Sequence, residues 1–183
     1  GTVVLFDRSA DRVYLAQTGL ITSQAAVAMP THLSLMKLVD GPRALADGQD
    51  KLTLRFESEE PAGGVQLVKS FTFERGSYTV AVKHEVRNTT AAPVTPSLYL
   101  QLARDGNAPK GESSMYFTFT GPAMYTDIGK FRKLEFKDIE KGKAEHEKAA
   151  DDGWISMVQH YFTSVWLLPP VAKKNSNSAS FAT

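Results

Sequence analysis

The chain has 183 residues, no cysteine and a formal net charge of +1. That length suits a single domain burying roughly 70% of its unfolded surface, and the missing thiols exclude disulfides and thiolate metal sites. Lys and Arg are spread along the sequence, without the clustered basic face of a nucleic-acid binder or the polybasic run of a membrane-surface segment.

In chain order, PTHLSLMKLV (30–39) carries Leu33, Met36 and Lys37 at helical spacing, which allows a helix there. KLTLRF then alternates, with Leu52, Leu54 and Phe56 on one face, and SFTFE repeats this with Phe71 and Phe73. SYTVAVKHEVRN is the cleanest case, with Tyr78, Val80, Val82, His84 and Val86 on one face. SLYLQL aligns Leu98, Leu100 and Leu102, and SMYFTFT aligns Met115, Phe117 and Phe119. Period-two alternation predicts strands with one face buried and one wet. Between the runs, ERGS (74–77) reads as a hairpin turn, with Gly76 free to take positive φ. EEPAGG (59–64), NTTAAPVTP (88–96), ARDGNAPKG (103–111) and TGPA (120–123) read as loops. EKGKAEHEKAADD (140–152) has helix formers but almost no apolar stripe, the pattern of a solvated loop or frayed turn. KKNSNSAS (173–180) opens a loose polar C-terminal end, 173–183. Many short strands separated by turns predict an all-β sandwich or barrel.

Catalytic constellations are scarce. HEKAA (146–150) starts like a zinc-protease helix but has Ala150 where the second imidazole belongs. Nucleophile-elbow, P-loop and dinucleotide-binding glycine patterns are absent from the sequence. His32, His84, His146 and His160 are scattered. His84 falls in phase with Val82 and Val86, so it faces a core or groove, more often as a hydrogen-bonded structural residue than as a catalyst. Glu57, Glu59 and Glu60, and again Asp151 and Asp152, raise the thought of paired carboxylates. Such runs are usually solvated. NTT (88–90) matches a glycosylation acceptor, a motif common by chance. No metal or cofactor is called for.

The most apolar stretch is DDGWISMVQHYFTSVWLLPP (151–170). A membrane-spanning helix needs about 20 predominantly apolar residues, and Ser156, Gln159, His160, Thr163 and Ser164 interrupt this run before Pro169-Pro170 end it. An amphipathic helix fits Trp154, Val158, Tyr161 and Val165. Alternation also fits, in two phases: Trp154, Ser156 and Val158 on one face, then Tyr161, Thr163 and Val165 on another. A parity slip near Gln159-His160 suits a bulge or tight bend. The reading adopted is a bent or bulged pair of core strand segments, with Trp154, Tyr161 and Trp166 as packing anchors. Sugar stacking is the sharper and rarer alternative.

GWISMVQHYFTSVWLLP resembles the segment near the end of the large periplasmic domain of YidC-type membrane protein insertases. Its signature residues are Gly153, Trp154, Gln159, Tyr161, Phe162, Trp166 and Pro169. FTGPAMYTDIGKFRKLEFKDIEKGK resembles the block before it, RGSYTVAVKHEVRN the central hairpin, and VYLAQTGL an early strand. These blocks occur in the family's order over nearly the whole chain. The resemblance implies an antiparallel β-supersandwich, galactose mutarotase-like, with residues 1–183 as one periplasmic domain. It implies that the chain is a fragment missing terminal strands. It places the parent in the Gram-negative inner membrane and implies a non-catalytic interaction domain. The implied partners are Sec translocon accessory components and nascent membrane proteins. The alternative is a carbohydrate-binding or mutarotase-like domain using His160, Tyr161, Trp154 or Trp166 at a concave face.

Overall fold

The structure, a computed structural model, describes residues 4–24, 27–107, 118–147, 149–150, 152–159, 161–168 and 179–180. It is all-β, with antiparallel sheets and, among the described residues, a single five-residue helix. None of the helices among the described residues is long and apolar enough to cross a membrane. Strands β1 (Asp7–Arg8), β2 (Val13–Ile21) and β7 (Ser97–Arg104) form a sheet in the order β1-β2-β7. A second sheet has the order β3-β4-β5-β6, from Met36–Leu38, Lys51–Ser58, Val65–Glu74 and Ala81–Asn88. A third is ordered β12-β11-β8-β9, from Phe162–Leu167, Trp154–Gln159, Gly121–Thr126 and Lys130–Lys133. Two-residue strands β10 (Ala149–Ala150) and β13 (Ala179–Ser180) pair separately, and helix α1 is Phe136–Glu140.

The chain divides into two compact units: Thr18–Leu100, and Gly1–Gln17 together with Gln101–Thr183. Within the first, the expected alternation fixes which face is inward. The register Phe56↔Lys69↔His84 and Leu54↔Phe71↔Val82 puts the odd-numbered β5 residues on the apolar face. Val65 and Leu67 are fully buried there and cluster with Leu20, Met29 and Val94. Gly76 turns β5 into β6 at φ 75°, with Ser77 N–H donating to the Glu74 carbonyl, as the ERGS reading expects. β6 itself begins only at Ala81, leaving Tyr78 fully exposed.

Two expectations are corrected. Residues 30–39 are not helical. The Leu35 carbonyl and Val39 N–H, which a helix would pair with each other, instead accept from Glu59 N–H and donate to the Arg55 carbonyl, so the backbone is committed to β4. Met36–Leu38 then pairs with β4, leaving Leu33 and Leu35 exposed. TGPA is not wholly a loop, because Gly121, Pro122 and Ala123 open β8. Proline is tolerated at a strand's start, and Pro122 still accepts from Leu134 N–H. The reading of 140–152 as a solvated loop or frayed turn fits: α1 ends at its first residue, Glu140, Gly142 turns at φ 63° and residues 143–147 are irregular.

Candidate interaction surface

Residues 154–167 form a hairpin, β11 against β12, with Gln159↔Phe162 as its last pair. The parity slip is the turn itself. Pairs Ser156↔Val165 and Val158↔Thr163 put those residues on one face, not two. Trp166 pairs with Ile155 and therefore lies on the other face from Trp154. Its Nε1–H donates to the Gln101 carbonyl at 3.1 Å. Tyr161 is 83% exposed at the turn, so it is no packing anchor, and Phe162 beside it is exposed too. His160 and Pro169 lie outside the described residues.

Gly153 explains why the stretch opens Gly-Trp. It takes φ 116°, in the region that favours glycine, and a Cβ there would run into the Tyr125 carbonyl oxygen. Only glycine lets the chain enter β11 this close to β8. Asp152, just ahead, accepts the Asp127 N–H at 3.0 Å, so its carboxylate organises the β8–β9 turn. Within that turn Thr126 Oγ1 accepts the Gly129 N–H at 2.8 Å.

That entry sets a lateral row across four strands. Leu167↔Trp154, Trp154↔Tyr125 and Tyr125↔Phe131 are all direct cross-strand pairs. The Tyr125 and Trp154 rings are stacked, with centroids 6.1 Å apart and planes 15° from parallel. Phe131 leans on Trp154 at 5.9 Å. Aromatic pairs of this kind add about 0.5–1.5 kcal/mol beyond burial. The row is nonetheless wet at both ends: Leu167 is 63% exposed and Phe131 52%, while Trp154 and Tyr125 are half-buried. Tyr125 Oη donates to Asp127 Oδ1 at 3.2 Å. The reverse face of the sheet carries Met124, Thr126 and Met157, all buried. An apolar row with wet ends suits contact with an apolar or amphipathic partner. Tyr125, Phe131 and Leu167 escaped the sequence reading; the turn signal Asp-Ile-Gly (127–129) between the two aromatics was the available clue.

The remaining candidates scatter. Glu57 is held by Arg55 and Arg87 on the outer face of β4, and Glu59 and Glu60 are exposed beyond it. Asp151 lies outside the described residues. His146 Nδ1 sits 3.2 Å from the Ala144 carbonyl. His32 meets Tyr99 Oη twice, through its backbone N–H at 2.9 Å and Nδ1 at 2.6 Å. Asn88 spends its amide on a turn, donating to the Ala92 carbonyl and accepting Thr90 N–H. Met115 and Phe117 lie outside the described residues, as does most of 173–183. Among the described residues no three His, Asp or Glu side chains converge as metal ligands would. The described members of the sugar-stacking set do not gather, since Trp154 and Trp166 take opposite faces and Tyr161 stands at the turn.

His84 is where the alternation put it, on the inward face, with Nε2 2.8 Å from Thr18 Oγ1. Beside it lies a residue the sequence reading missed. Lys69 is only 8% exposed and donates from Nζ to the Thr18 carbonyl at 2.6 Å. Counting parity back from Phe71 and Phe73 would have found it. Burial lowers the Lys69 pKa, and burial together with the Lys69 charge pushes His84 down to about 4.

The family model described as the YidC periplasmic domain matches residues 1–183. The chain is 52% identical over 167 residues to a membrane protein insertase YidC of Janthinobacterium sp. (strain Marseille), covering 91% of this chain and 28% of that protein. It is 48% identical over 174 residues to the protein so named in Bordetella parapertussis, covering 95% and 30%. With that of Herminiimonas arsenicoxydans it shares 50% over 168 residues, covering 91% and 28%. The chain thus spans less than a third of the length of these curated relatives.

Proposed function

The chain belongs to the YidC periplasmic domain family, and from that premise we propose that it is the non-catalytic interaction domain of an inner-membrane protein insertase. In this reading it assists insertion and folding of membrane proteins with or beside the Sec translocon. Its partners are Sec accessory components and nascent membrane proteins. The observation that carries the reading is the row Leu167–Trp154–Tyr125–Phe131, apolar across four strands and open at both ends. Trp154 and Tyr125 give it rigid contact area at low entropic cost, as aromatic residues do at interfaces. Five of the signature residues serve it structurally. Gly153 admits the strand, Trp154 anchors the row, Trp166 ties the hairpin to Gln101, and Gln159 and Phe162 close the hairpin.

A photo-crosslinking residue at Phe131 or Leu167 of the full-length insertase tests this reading. The control position is Lys83, on the outer face of β6. Capture of a Sec component or a nascent membrane protein from the row, and not from Lys83, is expected. Equal capture from all three positions, or none from any, removes the row from the function.

A further inference from the structure

Two basic side chains meet one threonine inside the Thr18–Leu100 unit. Lys69 on β5 and His84 on β6 are direct cross-strand neighbours, and both reach across to Thr18 on β2. Lys69 takes the Thr18 carbonyl and His84 the Thr18 hydroxyl. Thr18 itself is buried. The facing groups from each strand can be named. β2 presents Thr18 and Leu20; β5 presents Leu67, Lys69 and Phe71; β4 presents Leu54, Phe56 and Ser58; β6 presents Val82 and Val86 on either side of His84. Of these only Lys69 and His84 ionise. The acids of the same strands, Glu57 and Glu85, lie on the outer face and are engaged by Arg55 and Arg87. The pair therefore has two potential cations and, among the described residues facing it from these strands, no carboxylate.

We propose that the Lys69–Thr18–His84 contact is an acid-sensitive latch that holds the Thr18–Ile21 end of β2 against β5 and β6 when His84 is neutral. Protonating His84 sets a second cation beside Lys69 on an apolar face, where burying charge without a partner is costly. The imidazole's folded pKa, about 4, lies below its ordinary value of about 6.5. Opened or unfolded chains therefore bind more protons between those values. The latch's contribution is full above pH ~6.5 and is lost as pH falls toward ~4. The ceiling is a change of about 300-fold in the opening equilibrium, and a few tens of fold is expected because His84 is only half-buried. This device stands on the β2–β5–β6 geometry and is independent of the aromatic row.

Hydrogen exchange on the full-length insertase, followed from pH 7.5 to 4 and corrected for intrinsic rates, tests the latch. Peptides covering Thr18–Ile21 should lose protection by tens of fold in the wild type. His84→Gln keeps a polar partner for Thr18 without titrating, and should flatten the profile. Lys69→Met should shift the step to higher pH and shrink it. Parallel loss in the wild type and His84→Gln overturns the latch. Should a variant misfold, the wild-type imidazole resonance decides. A midpoint well below 6 supports the latch, and one at or above 6 overturns it.

Discussion

The sheet β3-β4-β5-β6 and the sheet β12-β11-β8-β9 are both four-stranded and antiparallel, yet they divide their faces differently. In the first, one face is apolar around Val65 and Leu67, and the other carries ions: Arg55, Glu57, Lys83, Glu85 and Arg87. In the second, one face is buried around Met124 and Met157, and the other buries Ala123 and Ser156 but carries a row of aromatic and aliphatic side chains that stays half wet. Alternation of apolar with charged residues, broken where Val68 joins the ionic face and Lys69 and His84 the apolar one, yields an outer surface satisfied by its own ion pairs. A sheet that places apolar groups on both sides leaves one face able to gain from a partner.

The largest expected effect tests the buried side of that contrast. Leu67→Ala removes a fully buried side chain from the Leu20–Met29–Val65 cluster. It should cost about 3 kcal/mol, read as a lowered denaturant midpoint. A loss under about 1 kcal/mol would mean that this face is not the core.

Gly153→Ala comes next. The position is strained for any side chain, and the added Cβ would strike the Tyr125 carbonyl. We expect a loss of about 2 kcal/mol, together with a change in Trp154 fluorescence as its stack on Tyr125 loosens. An unshifted spectrum would show that the row does not depend on this entry.

Phe131→Ala probes the open end of the row. Because Phe131 is half exposed, its loss should cost under about 1 kcal/mol of stability while lowering capture of partners from Leu167 in crosslinking. A cost equal to that of Leu67→Ala would make the row ordinary core and erase the contrast between the sheets.

The two sheets were not equally legible in the sequence. Alternation alone placed Leu52, Leu54, Phe56, Val82 and His84 on one face, because a side chain's face follows from local parity. The aromatic row was not legible, because it depends on which strands are neighbours and in what register. Trp154 is 29 residues from Tyr125, and only the pairings bring it there. Pro122 and Gly121 carried turn chemistry in a position where β11 supplies a partner strand, so tertiary pairing overrode the local signal. Tyr161 looked like core because it stands in an apolar run, but the turn between Gln159 and Phe162 holds it in solvent beside an equally exposed Phe162. Membership of the family was readable from whole blocks, since a shared order of motifs needs no three-dimensional register.

The smallest effect concerns the ionic face. Arg55 Nη1 donates to Glu85 Oε2 at 2.7 Å, and this hydrogen bond is the main reason the Glu85 carboxyl titrates below its ordinary range; Lys83 and Arg87 add to it. A lowered folded pKa means that the contribution is present above the ordinary carboxylate range and lost as pH falls through the lowered value. Arg55→Met should therefore raise the Glu85 midpoint part of the way back, since Lys83 and Arg87 remain, as read by carboxyl NMR. Stability near neutral pH should barely move, because exposed ion pairs are screened and entropically costly. Such an outcome fits a face whose charges answer one another. An unchanged Glu85 midpoint would mean that Arg55 does not organise the network. The ionic face would then be as open to partners as the aromatic one.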